Sequence, residues 1–388
     1  MATDVIIIGG GVMGAAAAYN LTSKGYKVIV LEQHDFLHEK GSSGGRSRII
    51  RLLYNEFHNA KLIREAYQLL REAEMESGAK IFHQTGEIDL GKKDNPQLNS
   101  IVNNAKTLDI KINILNKDDL HKTFNVSEGY MGVHQEDSGI LDPHSTMKMF
   151  LGLARKHGAI LHDQEVVMGI NSYSGGLIRI VTIDKRNHTN RVYSCRFLVI
   201  AAGAWTPKIM QHSLPHIRYP YIKILKQTWV YFPIYDSHLN HYTKSSIFIN
   251  YENGLYGFPQ YEKPGYIKVA MHYDDGASIV IDPDNRSYEP EAKQVKLIAD
   301  KVKELLPGID WSKPTDPETC LYSKTFDGQF IIDTLPDNPN ICVIGGGSGH
   351  MFKFCALIGR LVYELLIDKH KRDDIKPFAI DRHIKSRL

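Results

Sequence analysis

Cysteine is scarce and scattered. Cys195, Cys320, Cys342 and Cys355 are the only four, and they form neither a CxxC pair nor a Cys/His spacing. That excludes a disulfide framework and a zinc module, so no metal is expected and the chain reads as intracellular and reduced. A block of one charge sign is also missing. Lys plus Arg number 47 and Asp plus Glu 44, and the resulting +3 is spread along the sequence. No electrostatic case remains for a nucleic-acid partner. No apolar stretch reaches membrane-spanning length without glycine interruptions, and Met1-Ala2-Thr3-Asp4 lacks the basic start of a signal peptide, so no membrane association is expected. Internal repeats, low-complexity tracts and a visible Ser/His/Asp triad are absent as well. What is present is 388 residues with 43% hydrophobic content, enough for two domains with a sizeable core.

The first informative pattern is Val5-Ile6-Ile7-Ile8, an apolar run of strand type, followed directly by Gly9-Gly10-Gly11-Val12-Met13-Gly14 and a helical segment from Ala15 to Leu21. In a strand–turn–helix of this kind Gly9 permits the tight turn, Gly11 lets the backbone approach a pyrophosphate, and Gly14 allows helix to pack on strand. The helix N-terminus then offers N–H groups and a partial positive charge to phosphate. Gly25 ends the helix, Tyr26 to Leu31 reads as a second parallel strand, and Glu32 stands at its end. A carboxylate there accepts from ribose hydroxyls and repels a 2′-phosphate, which excludes NADP. These residues alone do not separate FAD from NAD.

Helical periodicity marks Lys61 to Ser77, His144 to Lys156 after the turn-and-cap sequence Asp142-Pro143, and Glu291 to Leu306. Strand patterns mark Gly86 to Leu90, Leu177 to Thr182, Gln227 to Phe232 and Tyr266 to His272. Two more strand–glycine–helix units follow, at Phe197 to Thr206 and at Ile341 to Ile344 with a Gly-rich turn and a helix through Leu366. Three such units far apart in sequence predict an α/β chain, α+β overall. Its Rossmann-like nucleotide domain is assembled discontinuously from 1–85, 141–218 and 320–388. Residues 86–140 and 219–319 then form a substrate domain with a mostly antiparallel sheet.

Four further segments carry a resemblance. They are Gly41-Ser42-Ser43-Gly44-Gly45-Arg46-Ser47-Arg48-Ile49-Ile50-Arg51; Asn253 to Pro259 with Lys268 and His272 beyond it; Cys320-Leu321-Tyr322; and Gly347-Ser348-Gly349-His350-Met351-Phe352-Lys353. Taken singly, a cysteine is by default a small buried hydrophobe, a lysine in a strand a solvent-facing charge, and a strand tyrosine or histidine simply packed. In this order, together with the fingerprint, they resemble the monomeric sarcosine oxidase family of flavin-dependent sarcosine, N-methyl amino acid and pipecolate oxidases over the whole length.

The resemblance implies FAD, held by Gly9, Gly11, Gly14, Glu32, Ser42, Ser43, Arg48, Gly347, Gly349 and Lys353 and bonded through an 8α-S-cysteinyl link to Cys320. It implies that Lys268 faces flavin N5 as the cation of the oxygen site, with Arg48 on the same face, and that Arg51 and Lys353 clamp the substrate carboxylate. Tyr256, His272 and Tyr322 then line the pocket and orient the amine. The implied reaction passes a hydride equivalent from a secondary-amine amino acid to N5, with imine hydrolysis and reoxidation by molecular oxygen to hydrogen peroxide. A fructosyl amino acid oxidase of the same family, or a flavin amine dehydrogenase with another electron acceptor, stays open.

Two departures from the family pattern affect pocket shape: glycines at Gly44 and Gly45 ahead of Arg48, expected to open space on that flavin face, and Met351 in place of a glycine. Finally, Ser386-Arg387-Leu388 is a variant of the Ser-Lys-Leu address, which implies an import receptor and a peroxisomal location in a eukaryote, and the cytoplasm otherwise.

Overall fold

The computed structural model describes residues 2–383 apart from 173–175, 216, 218, 273 and 275, so the C-terminal tripeptide lies outside the described residues. The apolar run at the N-terminus forms the strand Ala2–Ile8, and its position in the first sheet explains its composition. It pairs in parallel with Thr189–Ile200 on one side and Val28–Leu31 on the other, and Ile160–His162 extends the parallel set beyond Val28–Leu31. Asn338–Gly345 adds in parallel to the far side of Thr189–Ile200. Val5, Ile6, Ile7, Val199 and Val343 are wholly buried, as a parallel sheet covered on both faces requires. Glu165–Ser172, Ile178–Asp184 and Ile331–Leu335 complete this eight-stranded sheet as antiparallel additions.

The three predicted helices form with shifted ends. The first runs Phe57–Ser77, a turn earlier than the periodicity indicates, and stops at Gly78 in the left-handed region with its N–H on the Glu74 carbonyl. The second is Pro143–Lys156, where Asp142 caps the Ser145 N–H at 2.7 Å. The third is Ala292–Leu305, packed through Ile298, Ala299 and Val302 against a second sheet. That sheet has nine strands in the order Ser278–Ile279, Lys223–Pro233, Tyr266–Met271, Leu255–Phe258, Ile247–Asn250, Glu87–Lys92, Tyr130–Gln135 and Asn113–Leu115, with Thr315–Lys324 also on Lys223–Pro233. It is antiparallel except where Ile247–Asn250 meets Glu87–Lys92. A three-stranded sheet of Arg48–Ile50, Gly139–Leu141 and Phe82–Gln84 carries Arg48.

The boundary expected at 320 falls inside Thr315–Lys324. Pairing from Thr315 to Lys324 joins that strand to the second sheet, so Cys320 enters from the antiparallel side and the nucleotide layer resumes only after it.

Close approach of backbones fixes the nucleotide layer. Helix Val12–Ser23 carries a run of four alanines, Ala15 to Ala18, and crosses helix Cys355–Leu366 at Gly359, where a Cβ would stand 2.5 Å from the Ala16 carbonyl oxygen. Replacing Gly359 by Leu forces the helices apart and is expected to destabilise the fold by roughly 1–3 kcal/mol, read as a lower urea midpoint; an unchanged midpoint would show that the crossing is loose.

Candidate active site

A cavity of about 700 Å³ runs from the fingerprint turn to His272, between the two large sheets. Of the residues singled out in the sequence, Gly9, Gly11, Glu32, Ser42, Ser43, Arg48, Arg51, Tyr256, Lys268, His272, Cys320, Tyr322, Gly347, Gly349 and Lys353 line it. Gly14 lies beneath the wall.

At the fingerprint end Gly9 has φ +104°, and a Cβ on Gly14 would stand 1.9 Å from the Gly9 carbonyl oxygen. Neither position tolerates a side chain, so the turn stays flush with the cavity. Ser43 Oγ accepts from the Val12 N–H at 3.2 Å, and Ser42 Oγ donates to the Leu321 carbonyl at 2.6 Å, tying the glycine-rich loop to both the first helix and the Cys320 strand. Glu32 accepts from the Gly10 N–H at 2.8 Å and the His34 N–H at 2.9 Å, with His38 Nε2 3.4 Å away. Burial raises its carboxyl, but His38 and the two N–H groups outweigh that and hold it below the ordinary range. A fixed carboxylate with lone pairs to spare suits ribose hydroxyls. These residues fit a dinucleotide.

The glycine turn and the Cys320 strand lock together at the middle of the cavity. The Ser348 N–H donates to the Ser323 carbonyl at 2.9 Å, and the Thr325 N–H to Ser348 Oγ at 3.3 Å. Gly349, at φ +82°, lies so close to the Tyr322 ring that a Cβ would meet Cε2 at 2.3 Å. Tyr322 is thereby pressed toward Tyr256, the two hydroxyls 3.4 Å apart, and toward the His272 ring at 5.9 Å. Burial raises both phenols and, with the charges of Lys324, Arg51 and Lys353, lowers His272 to about 4. This end therefore offers neutral hydrogen-bonding groups at neutral pH.

Four of the cations that line the cavity are each compensated differently. Arg48 donates to the carbonyls of Ser47, Ser42 and Gly44. Lys268, expected as the cation of the oxygen site, is paired, its Nζ lying 2.9 Å from Glu262 Oε1 and 3.0 Å from Ser47 Oγ. Arg51, expected to clamp a substrate carboxylate with Lys353, donates to the Tyr251 hydroxyl at 2.7 Å and lies 3.5 Å from Asp89 and 3.6 Å from Glu87, both fully buried. Lys353, 5% exposed, donates to the His350 carbonyl at 3.3 Å and has no carboxylate among its hydrogen-bond partners in the described residues. Burial and the nearby Arg51 lower its ammonium to about 7. Arg51 and Lys353, remote in sequence, meet over one ring, 4.5 and 5.6 Å from the Tyr54 centroid.

Cys320 is partly buried, and its thiol is pushed up by burial against the opposing pull of Arg48, Lys268 and Arg286. Gly44 does not open the cavity as expected: a Cβ there would stand 2.8 Å from the Glu39 Cα, so neighbouring backbone already fills the gap. Met351 is buried in the nucleotide-layer core beside Gly347. The sequence reading missed Glu262, Glu87, Asp89, Tyr54 and Tyr251. Glu87 and Asp89 were legible as two acids on one strand face, but the strand pattern does not say that this face turns inward to an arginine. Among the described residues, no group of three or more His, Cys, Asp or Glu side chains could hold a metal.

Residues 4–365 match the family model described as FAD dependent oxidoreductase. The chain is 33% identical over 380 residues to the probable sarcosine oxidase of Arabidopsis thaliana, covering 94% of this chain and 88% of that protein. It is 30% identical over 392 residues to the peroxisomal sarcosine oxidase of Homo sapiens, covering 98% and 96%. The solved structure of the amino acid oxidase NikD, 22% identical, superposes with a TM-score of 0.82 over 98% of this chain and 97% of that one, a likeness of fold. The fingerprint, the carboxylate at the end of the second strand and these full-length matches have one reading: the chain belongs to the FAD-dependent oxidoreductases and, among them, to the sarcosine oxidase family.

Proposed function

We propose that this protein is an FAD-dependent oxidase of amino acids carrying a secondary amine, of the sarcosine, N-methyl amino acid, pipecolate or proline type, with molecular oxygen as acceptor. The observation that carries the substrate class is Lys353: a buried ammonium in the cavity wall, beside Arg51 on Tyr54, with only a carbonyl oxygen as its hydrogen-bond partner among the described residues. A carboxylate is the group that completes such a site.

FAD, when bound, supplies the acceptor for the hydride equivalent leaving the carbon next to nitrogen and the electrons that reduce oxygen to hydrogen peroxide. Gly9, Gly11, Gly14 and Glu32 would hold its pyrophosphate and ribose, with Ser42, Ser43, Gly347 and Gly349 in the walls beside it. Cys320 is the residue we assign to a covalent thioether, because its sulfur lines the same cavity next to Arg48 and Lys268. Lys353 and Arg51 orient the carboxylate. Tyr256, Tyr322 and neutral His272 face the amine, and the surrounding cations disfavour its protonation, so the nitrogen keeps its lone pair. Lys268 and Arg48 place positive charge where oxygen takes up its first electron. In a eukaryotic source we place the enzyme in the peroxisome, delivered by an import receptor that reads Ser386-Arg387-Leu388; the peroxisomal relative supports this.

Cys320 gives the first test. Acid-precipitated parent protein should stay yellow and its intact mass exceed the chain mass by that of FAD, whereas Cys320→Ser should release its flavin on denaturation. Flavin that washes out of the parent would remove the link.

Lys353→Met should weaken carboxylate inhibitors such as pyrrole-2-carboxylate by about 2–5 kcal/mol. In the parent the ammonium is charged below about 7, so inhibitor affinity should fall with rising pH above that value, roughly tenfold per unit. That slope should vanish in the variant, and a slope that persists assigns the clamp elsewhere. Arg51→Ala, in contrast, strands Glu87 and Asp89 and should lower stability together with affinity.

Lys268→Met should slow reoxidation of the reduced enzyme by oxygen and leave anaerobic reduction nearly intact. A unit cation about 4 Å from the developing charge at an effective dielectric near 20 contributes up to about 4 kcal/mol, or roughly three powers of ten. Equal losses in both half-reactions would discard the oxygen-site assignment.

A further inference from the structure

Lys268 projects from Tyr266–Met271 into the cavity with its ammonium 4.8 Å from the Trp229 ring centroid and 5.4 Å from that of Phe258. An amine among aromatic rings is poorly hydrated, and its charged form needs a partner. The partner is Glu262, from the loop that follows Leu255–Phe258, with side chains of Lys268 and Glu262 only 6% and 4% exposed. Lys268 lines the cavity while Glu262 stands behind it. The other carboxylate oxygen of Glu262 accepts from the Tyr231 hydroxyl at 2.5 Å. One face of the ammonium is thus fixed by Glu262 and another by Ser47 Oγ at 3.0 Å. A lysine carries three N–H donors, so one remains beyond these two partners on a side chain that lines the cavity.

We propose that Glu262 is a positioning residue of the oxygen site: its carboxylate, itself held by Tyr231, keeps the Lys268 ammonium charged and aimed with one N–H into the cavity. The proposal rests on Lys268 being the oxygen-site cation. The other groups facing Lys268 cannot replace Glu262. Arg48, from Arg48–Ile50, opposes the charge; Tyr231, from Lys223–Pro233, is a phenol pushed far up by burial; Cys320, from Thr315–Lys324, is a thiol raised by burial. Glu318 of that strand acts on Lys268 through space but is itself raised by burial and is not among the hydrogen-bond partners of Lys268.

The sign of the pH effect follows. Burial and Arg48 lower the Lys268 ammonium while Glu262 raises it. Without the carboxylate, the proton is lost at lower pH, and the cation disappears from the cavity first at the alkaline end.

The test compares Glu262→Gln, Glu262→Asp and Lys268→Met holoenzymes in two measurements. Stopped-flow separates anaerobic reduction from reoxidation by oxygen across pH 6–10. NMR of protein labelled with [13Cε]lysine, with the Lys268 resonance assigned by its loss in Lys268→Met, follows the ammonium directly. Glu262→Gln should keep anaerobic reduction within about twofold and lose reoxidation at least tenfold at alkaline pH but less at pH 6, and Glu262→Asp should recover part of the loss; the Lys268 resonance should titrate at least one unit lower in Glu262→Gln than in the parent, about the size of one strong charge contact. Parental reoxidation with a parental pH profile in Glu262→Gln, beside a slow Lys268→Met, would overturn the part given to Glu262 alone. A fast Lys268→Met would overturn the oxygen-site reading beneath it. Equal loss in both half-reactions, or an unshifted Lys268 resonance, would reduce Glu262 to a structural ion pair.

Discussion

Bringing several cations into a poorly hydrated cavity is the constraint on which this site depends. An unpaired buried charge is costly enough that a protein ordinarily neutralises it or supplies a partner. Here the compensation differs from one cation to the next. Arg48 leans on three backbone carbonyls, Lys268 on a glutamate, and Arg51 on Tyr251 and two buried acids. Lys353 is left with one carbonyl at 3.3 Å and an ammonium lowered to about 7. The pattern directs an incoming anion. In the proposed reading Arg48 and Lys268 shape the field, and the under-compensated Lys353, beside Arg51, takes the anion.

The second constraint is how closely main chain must approach main chain. The fingerprint turn, the crossing at Gly359 and the contact of Gly349 with Tyr322 all place a missing side chain within 2.5 Å of another atom. The first two close the nucleotide layer. The third presses an aromatic ring of the antiparallel sheet against a turn of the parallel one, and so joins the two halves of the cavity. Ser42, bonded to the Leu321 carbonyl, makes a parallel tie from the glycine-rich loop. The Cys320 strand is thus held to the nucleotide layer although its pairing belongs to the other sheet.

Much of this was legible from local pattern. The apolar runs, the glycine spacing and the cap at Asp142 are local signals, and they fix the parallel layer and its helices because a strand buried on both faces and a capped helix have few alternatives. Element ends were less legible. The helix starting at Phe57 begins before its apolar stripe does, and the strand Thr315–Lys324 joins its sheet through backbone pairing that no residue type announces.

The sequence by itself determined the nucleotide fingerprint and the carboxylate at Glu32, which motif spacing along short segments carries, and its resemblance to the family named many of the other side chains that line the cavity, though not Tyr54 or Tyr251. Only the tertiary structure decided what each cation faces. Whether Lys268 meets water or Glu262, and whether Arg51 is free or held by Glu87 and Asp89, depends on which strand faces turn toward one another across two sheets. A strand's period of two assigns its residues to alternate faces, and it carries no information on what those faces meet.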